Sequence, residues 1–169
     1  MAEEIKDLYN QKYFKASKGF QRSKSRLQYM YKQIEPYKPK TLLDVGCGLG
    51  TFVDLCCKNK VDAWGIDFAP VLKENWWSEK PRLLIADAKK IPFSDKTFDI
   101  VYSADFFEHI PEEEINQVAD EMKRVGKVVL ARIAFEAQLT ENQAKYHCTN
   151  KPKDWWINKL KDIIILDYA

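Results

Sequence analysis

A chain of 169 residues, 46% hydrophobic and 13% aromatic, carries enough apolar side chains for one compact domain, and such a domain buries roughly 70% of its unfolded surface without a disulfide or metal staple. Its 27 Lys+Arg against 25 Asp+Glu leave a net charge of +2, which excludes a surface built throughout for nucleic acid, so nucleic acid is not expected as a partner. The balance is uneven: residues 1 to 40 hold ten Lys/Arg and four Asp/Glu, a local +6 that leaves −4 for the remainder, so an anionic partner should meet the N-terminal segment. The longest aliphatic run, Ile163-Ile164-Ile165-Leu166, is far short of the roughly 20 residues of a membrane span. The opening Met-Ala-Glu-Glu has neither a basic n-region nor an apolar h-region, and a cytoplasmic location is expected. Cys47, Cys56, Cys57 and Cys148 form no Cys-x-x-Cys and read as reduced structural thiols, with Cys56 and Cys57 on one helix and one of them turned to the core.

Residues 1 to 20 show no clean period and read as an arm or short helices packed by Tyr9, Tyr13, Phe14 and Phe20. From Gln21 to Glu35, Leu27, Met30, Tyr31 and Ile34 recur at helical spacing, and Pro36 and Pro39 end that helix. Thr41 to Val45 reads as a strand, Gly46 to Gly50 as a turn, and Phe52, Leu55 and Cys56 as the inner face of a second helix. Further strands are expected at Ala63 to Ile66, Arg82 to Ala86, Phe98 to Ser103 and Lys127 to Ile133, with a helix near Pro70 to Trp77. Pro111 is expected in the first turn of a helix whose buried face is Ile115, Val118, Ala119, Met122 and Val125. A helix over Lys153 to Leu160 and a strand over Asp162 to Tyr168 complete the pattern. Strands alternating with helices predict a doubly wound α/β fold, a mainly parallel sheet covered by helices on both faces, in one domain over residues 1 to 169. Within it, residues 1 to 40 are the arm and first helix, 41 to 133 the core, and 134 to 169 the last helix and strand.

The segment with most chemistry is Leu42-Leu43-Asp44-Val45-Gly46-Cys47-Gly48-Leu49-Gly50-Thr51-Phe52. Glycines at a strand-to-helix turn let backbone pass close to a ligand and aim N–H groups at it. The spacing is Gly-x-Gly-x-Gly, with Thr51 where a dinucleotide fingerprint would carry its third glycine, and with Asp44 two residues before the loop. An acid there disfavours a pyrophosphate and favours a ligand bearing positive charge.

With this motif the chain resembles the class I S-adenosylmethionine-dependent methyltransferases, in particular the small type-11-like group with a Leu-Asp-x-Gly-Cys-Gly-x-Gly first motif. The resemblance implies a Rossmann-like sheet, S-adenosyl-L-methionine as cofactor, and Asp44, Gly46, Cys47, Gly48 and Gly50 around its methionine end. Nineteen residues beyond Gly48, Gly65-Ile66-Asp67-Phe68 ends a strand in an acid, which implies Asp67 on the ribose hydroxyls and Phe68 against the adenine face. Ala86-Asp87-Ala88 is similar to the segment that reads the adenine edge, with Asp87 on its amino group and the Ala88 N–H on a ring nitrogen. Val101 to Pro111 resembles the loop after the fourth strand, with Ala104 along the methionyl group and later residues toward the acceptor. Tyr13 and Phe14 match a Tyr-Phe segment that closes over the cofactor as a lid in some relatives.

Transfer of a methyl from a sulfonium needs in-line alignment, and a base only if the acceptor must lose a proton. His109 is the leading base candidate, and His147 is the second: its His-x-Thr followed by Pro and Trp-Trp resembles a pattern of some small methyltransferases of this type, which implies His147 over the acceptor pocket. Asp105, Glu108 and His109 offer three ligand types within five residues of one loop, which need not converge, and no metal is expected. Asp54, Asp95 and Asp99 read as caps or turn formers, and Trp155 and Trp156 as core and sheet cover. No seventh, antiparallel strand is legible, so six strands are expected, with a homodimer through the edge bearing Ile163 to Ile165 as one way of covering it. The resemblance implies a methyltransferase for a small-molecule or glycan-like acceptor, anionic if the basic arm contacts it. The alternative is a cofactor-binding but catalytically silent regulatory or scaffolding protein.

Overall fold

Parallel strands need helices on both faces, so their residues read as near-continuous apolar runs in which neighbours point to opposite cores. The computed structural model, which describes residues 23–69, 82–135 and 147–167, shows that arrangement. Its helices are α1 (Lys24–Ile34), α2 (Thr51–Lys58), α3 (Ile115–Val125) and α4 (Lys153–Lys159). Its strands are β1 (Thr41–Val45), β2 (Asp62–Asp67), β3 (Leu83–Ile85), β4 (Phe98–Ala104), β5 (Gly126–Arg132) and β6 (Ile164–Leu166). They form a six-stranded sheet in the order β3-β2-β1-β4-β5-β6, every pair parallel. This is the expected doubly wound fold, with parallel pairing throughout.

Leu42, Ile100, Tyr102 and Leu130 face one core together with Met30 and Ile34 of α1 and Phe52, Val53 and Cys56 of α2. Leu43, Val45, Val101, Val129 and Ala131 face the other, with Ile115, Val118, Ala119, Met122 and Val125 of α3 and Trp156 of α4. The five α3 positions are those that helical spacing selects, and all are buried. Cys56 is fully buried and Cys57 half-buried, so one of the adjacent thiols turns inward. Ser23 caps α1, its hydroxyl accepting from the Arg26 N–H at 3.2 Å.

Several boundaries differ from the sequence expectation. Pro111 is outside α3: the Glu114 N–H donates to the Pro111 carbonyl at 2.9 Å in a separate turn, and the helix starts at Ile115. β5 starts at Gly126, one residue before the expected Lys127: a Cβ there would lie 2.5 Å from Val101 Cγ2, and the glycine lets α3 run straight into the sheet. β6 is confined to Ile164–Leu166, with Ile163 buried before it and Ile164 exposed. The helix expected near Pro70 to Trp77 lies outside the described residues.

Asp99 is not a cap. From β4 its Oδ2 accepts the Lys40 and Thr41 N–H groups at 2.9 and 3.1 Å, its Oδ1 accepts from Lys127 Nζ at 2.8 Å, and its own N–H donates to Thr41 Oγ1 at 2.9 Å. It thereby ties the starts of β1, β4 and β5. The Lys127 ammonium, then the Lys40 N–H, hold its carboxyl at about 2, below the ordinary 3.8. A depressed carboxyl stabilises the fold above its unfolded value, and that contribution is lost as pH falls through the folded one. Asp99→Ala is therefore expected to cost about 2 kcal/mol at neutral pH. The deficit should shrink between about pH 4 and pH 2, which urea unfolding at pH 7 and pH 3 measures; an equal deficit at both would show that the charge contributes nothing.

Candidate functional site

In an open parallel sheet the ligand crevice lies beyond the carboxyl ends of the strands where strand order reverses. Here the reversal falls between β1 and β4, and the glycine loop after β1 faces the segment after β4 across it. Gly46, Gly48 and Gly50 have φ of +75, +53 and +77°, a region that L side chains rarely adopt. The Gly46 and Cys47 N–H groups both donate to the Ile66 carbonyl, at 2.9 and 3.1 Å, which anchors the loop to β2. Among the described residues, chain neighbours aside, no atom lies within 4 Å of the place a Cβ would take on Gly48, so space adjoins the loop there.

Asp67, at the end of β2, holds the loop from the other side. Its Oδ2 accepts from the Gly48 N–H at 3.0 Å and its Oδ1 from the Ala69 N–H at 3.1 Å. Burial pushes its carboxyl upward while the N–H groups of Ala69, Gly48 and Phe68 pull it back. Phe68 follows, half-buried. Asp87, half-exposed beyond β3, folds its own turn: its Oδ1 accepts from the Lys89 N–H at 2.9 Å, and the Lys90 N–H donates to its carbonyl at 2.9 Å. The half-buried Ala88 packs against the α3-side core. Asp44 is fully buried, opposite Gly65 and Tyr102 in the neighbouring strands, so its charge acts from beneath the loop; with burial as the larger cause, it also pushes the Cys56 thiol upward. Cys47 is buried against Gly65, where a Cβ would meet its Sγ at 2.8 Å.

The opposite wall begins with the buried Ala104 at the end of β4. Asp105 follows with φ +54°, its N–H donating to the Arg132 carbonyl at 3.0 Å and its carboxylate paired with Arg26 of α1. Phe107–His109 form a 3-10 turn that buries Glu108. Burial, and then the Asp105 charge, push the Glu108 carboxyl up to about 8. His109 and His147, 38 residues apart in the chain, stack edge to face with ring centroids 4.7 Å apart. Thr149 brings them together: its N–H donates to the Glu108 carbonyl at 3.0 Å and its hydroxyl to the Ile110 carbonyl at 2.8 Å. Burial lowers the His147 pKa, with Asp105 opposing.

The structure thus groups Gly46, Gly48, Gly50, Asp67 and Phe68 around the loop after β1, and sets His109 beside His147 after Ala104 and the end of β4. Tyr13 and Phe14 lie outside the described residues. Sequence reasoning left aside Glu108 as a buried acid, Thr149 as an anchor and Arg26 as the partner of Asp105. The His-x-Thr spacing was the available signal for Thr149; a pairing across 79 residues leaves no local trace for Arg26.

Comparison with known proteins supplies the family. A model described as "Methyltransferase domain" matches residues 43–128. The chain is 35% identical over 98 residues to a protein named probable tocopherol O-methyltransferase, chloroplastic, from Oryza sativa subsp. japonica, a match covering 53% of this chain and 26% of that one. It is 33% identical over 86 residues to the norajmaline N-methyltransferase of Rauvolfia serpentina, covering 46% of this chain and 30% of the relative. These matches span between a quarter and a third of each plant protein. A solved SAM-dependent methyltransferase from Archaeoglobus fulgidus shares the fold with a TM-score of 0.58 and 24% identity, over 69% of this chain and 54% of that one.

Proposed function

Because the chain belongs to the methyltransferase domain family, with S-adenosylmethionine as its cofactor, we propose that it is an active enzyme that methylates a small-molecule or glycan-like acceptor. The observation that carries this reading is the two-sided crevice, a cofactor lip built by the glycine loop and Asp67 opposite a wall bearing two imidazoles. The residues present fit the cofactor. The open space beside Gly48 admits its methionine end, the acid at the end of β2 offers ribose hydroxyls an acceptor, and the turn at Asp87 offers a carboxylate and a backbone N–H to an adenine edge. When bound, the cofactor supplies an electrophilic methyl on a sulfonium.

The chain's own part is alignment and proton handling. Gly48 and Asp67 fix one reactant, and Ala104, at the end of β4, carries no side chain larger than a methyl. His109 and His147 face the acceptor, where an attacking hydroxyl or amine must shed its proton. Asp44, beneath the loop, favours a cationic ligand over a pyrophosphate. O-, N- and C-methyltransferases all stand among the relatives, so the acceptor's nucleophile is an oxygen, a nitrogen or a carbon.

The test is methyl transfer from labelled S-adenosylmethionine to a panel of hydroxylated and aminated small molecules, beginning with anionic ones. With an acceptor in hand, His147→Ala is expected to lower kcat by roughly a hundredfold and to leave S-adenosylhomocysteine affinity unchanged. Wild-type turnover in both His147→Ala and His109→Ala would remove this wall from the reaction.

A further inference from the structure

Glu108, His109 and His147 each place one ligand atom so that the three lie within 4.8 Å of one another. We propose that they form a binding site for one divalent transition-metal ion, Zn2+ foremost, on the acceptor side of the crevice. This set differs from the loop triplet Asp105, Glu108 and His109, because the fold replaces an acid held by Arg26 with a histidine delivered from the far end of the chain.

Glu108 is 1% exposed; its Oε1 accepts from the Ala134 N–H at 3.2 Å, and its Oε2 is buried with no hydrogen-bond partner among the described residues. The Nδ1 of His147 is likewise buried and unpartnered among those residues. A buried carboxylate oxygen and a buried ring nitrogen left without partners beside each other are costly unless something joins them. A cation satisfies both at once. Ligand atoms on one ion, with bonds of about 2.0–2.2 Å, stand roughly 3–4 Å apart, so a small approach of the two rings completes the set. The neighbouring charges agree: Asp105 acts on both Glu108 and His147, and the nearby Arg26 is engaged by that same Asp105.

One carboxylate and two imidazoles suit zinc and its first-row neighbours better than the all-oxygen preference of Mg2+ or Ca2+. Three protein ligands leave a fourth position open. An acceptor hydroxyl there would be acidified by the ion, and its proton would pass to solvent as the oxygen takes the methyl. That role rests on the methyl-transfer reading; the binding does not.

The experiment uses the full chain, stripped with a chelator and titrated with Zn2+ by calorimetry, with metal content measured after gel filtration. One Zn2+ per chain is expected, with affinity falling roughly tenfold or more in each of Glu108→Gln, His109→Ala and His147→Ala. Cooperative thermal unfolding identifies the variants that remain folded, and His147→Ala, in a loop, keeps the test open if the buried Glu108 variant fails. Cys148→Ser should bind as wild type does. Absence of saturable binding by the folded chain, equal affinity in the folded ligand variants, or loss of binding in Cys148→Ser would each overturn the site. S-adenosylhomocysteine titrated into the same samples separates the two readings: its binding without Zn2+ sinks the ion alone, and Zn2+ binding without it sinks the methyl-transfer reading alone.

Discussion

Alanine in place of Asp67 is expected to weaken S-adenosylmethionine binding by roughly two orders of magnitude, about 3 kcal/mol. Two losses add. In the role proposed for Asp67 a ribose diol would lose a charged acceptor, and the Gly48 and Ala69 N–H groups lose the oxygens that hold them at 3.0 and 3.1 Å, which releases the glycine loop. Fold stability should change much less, because burial already disfavours the Asp67 charge and its removal relieves that cost. Asp67→Asn keeps the shape with one fewer acceptor oxygen and should fall between. Calorimetry with S-adenosylhomocysteine, set beside urea unfolding of the same variants, reads the contrast. Wild-type affinity in Asp67→Ala would mean that this acid does not face the cofactor.

What was legible in the sequence was whatever local spacing determines. The apolar run of β1, the three glycines after it and the buried stripe of α3 each follow from periods of two or 3.6 or from a backbone only glycine adopts. Boundaries set by tertiary packing were not legible. The strand reads from Lys127, yet Gly126 is the residue that lets β5 start against Val101, and Pro111 reads as a helix start although the chain makes a separate turn before α3. Asp99 carries no mark distinguishing a cap from a clamp, because the Lys40, Thr41 and Lys127 groups that define it arrive from other strands. The same holds at the site. Each histidine could be nominated singly, but their contact depends on Thr149 bonding to the carbonyls of Glu108 and Ile110. The burial of Glu108, which makes its unpartnered oxygen chemically significant, follows from a turn that packs Phe106 and Phe107 into the α3-side core.

Gly46→Ala and Gly48→Ala should fail in opposite ways, although both residues have positive φ, +75 and +53°. A Cβ on Gly46 would lie 2.5 Å from Phe106 Cδ2 and 3.1 Å from its Cγ, so the ring must move. A left-handed alanine costs roughly 1–2 kcal/mol and the overpacking a further 1–3, giving an expected loss near 3 kcal/mol in urea unfolding. Phe106 heads the turn that carries Glu108 and His109, its carbonyl accepting from the His109 N–H at 3.0 Å. Displacement of the ring should therefore reach the acceptor wall, lowering turnover beyond any change in cofactor affinity. Among the described residues, chain neighbours aside, Gly48 has no atom within 4 Å of the Cβ position, so its variant bears the backbone cost alone, about 1–2 kcal/mol. Its methyl instead enters the space assigned to the cofactor, and S-adenosylhomocysteine affinity should fall at least tenfold while most of the stability remains. If Gly48→Ala binds like the parent, the open space beside the loop is not where the cofactor lies. If Gly46→Ala loses affinity but not stability, Phe106 has room to yield, and the two lips of the crevice are not coupled through it.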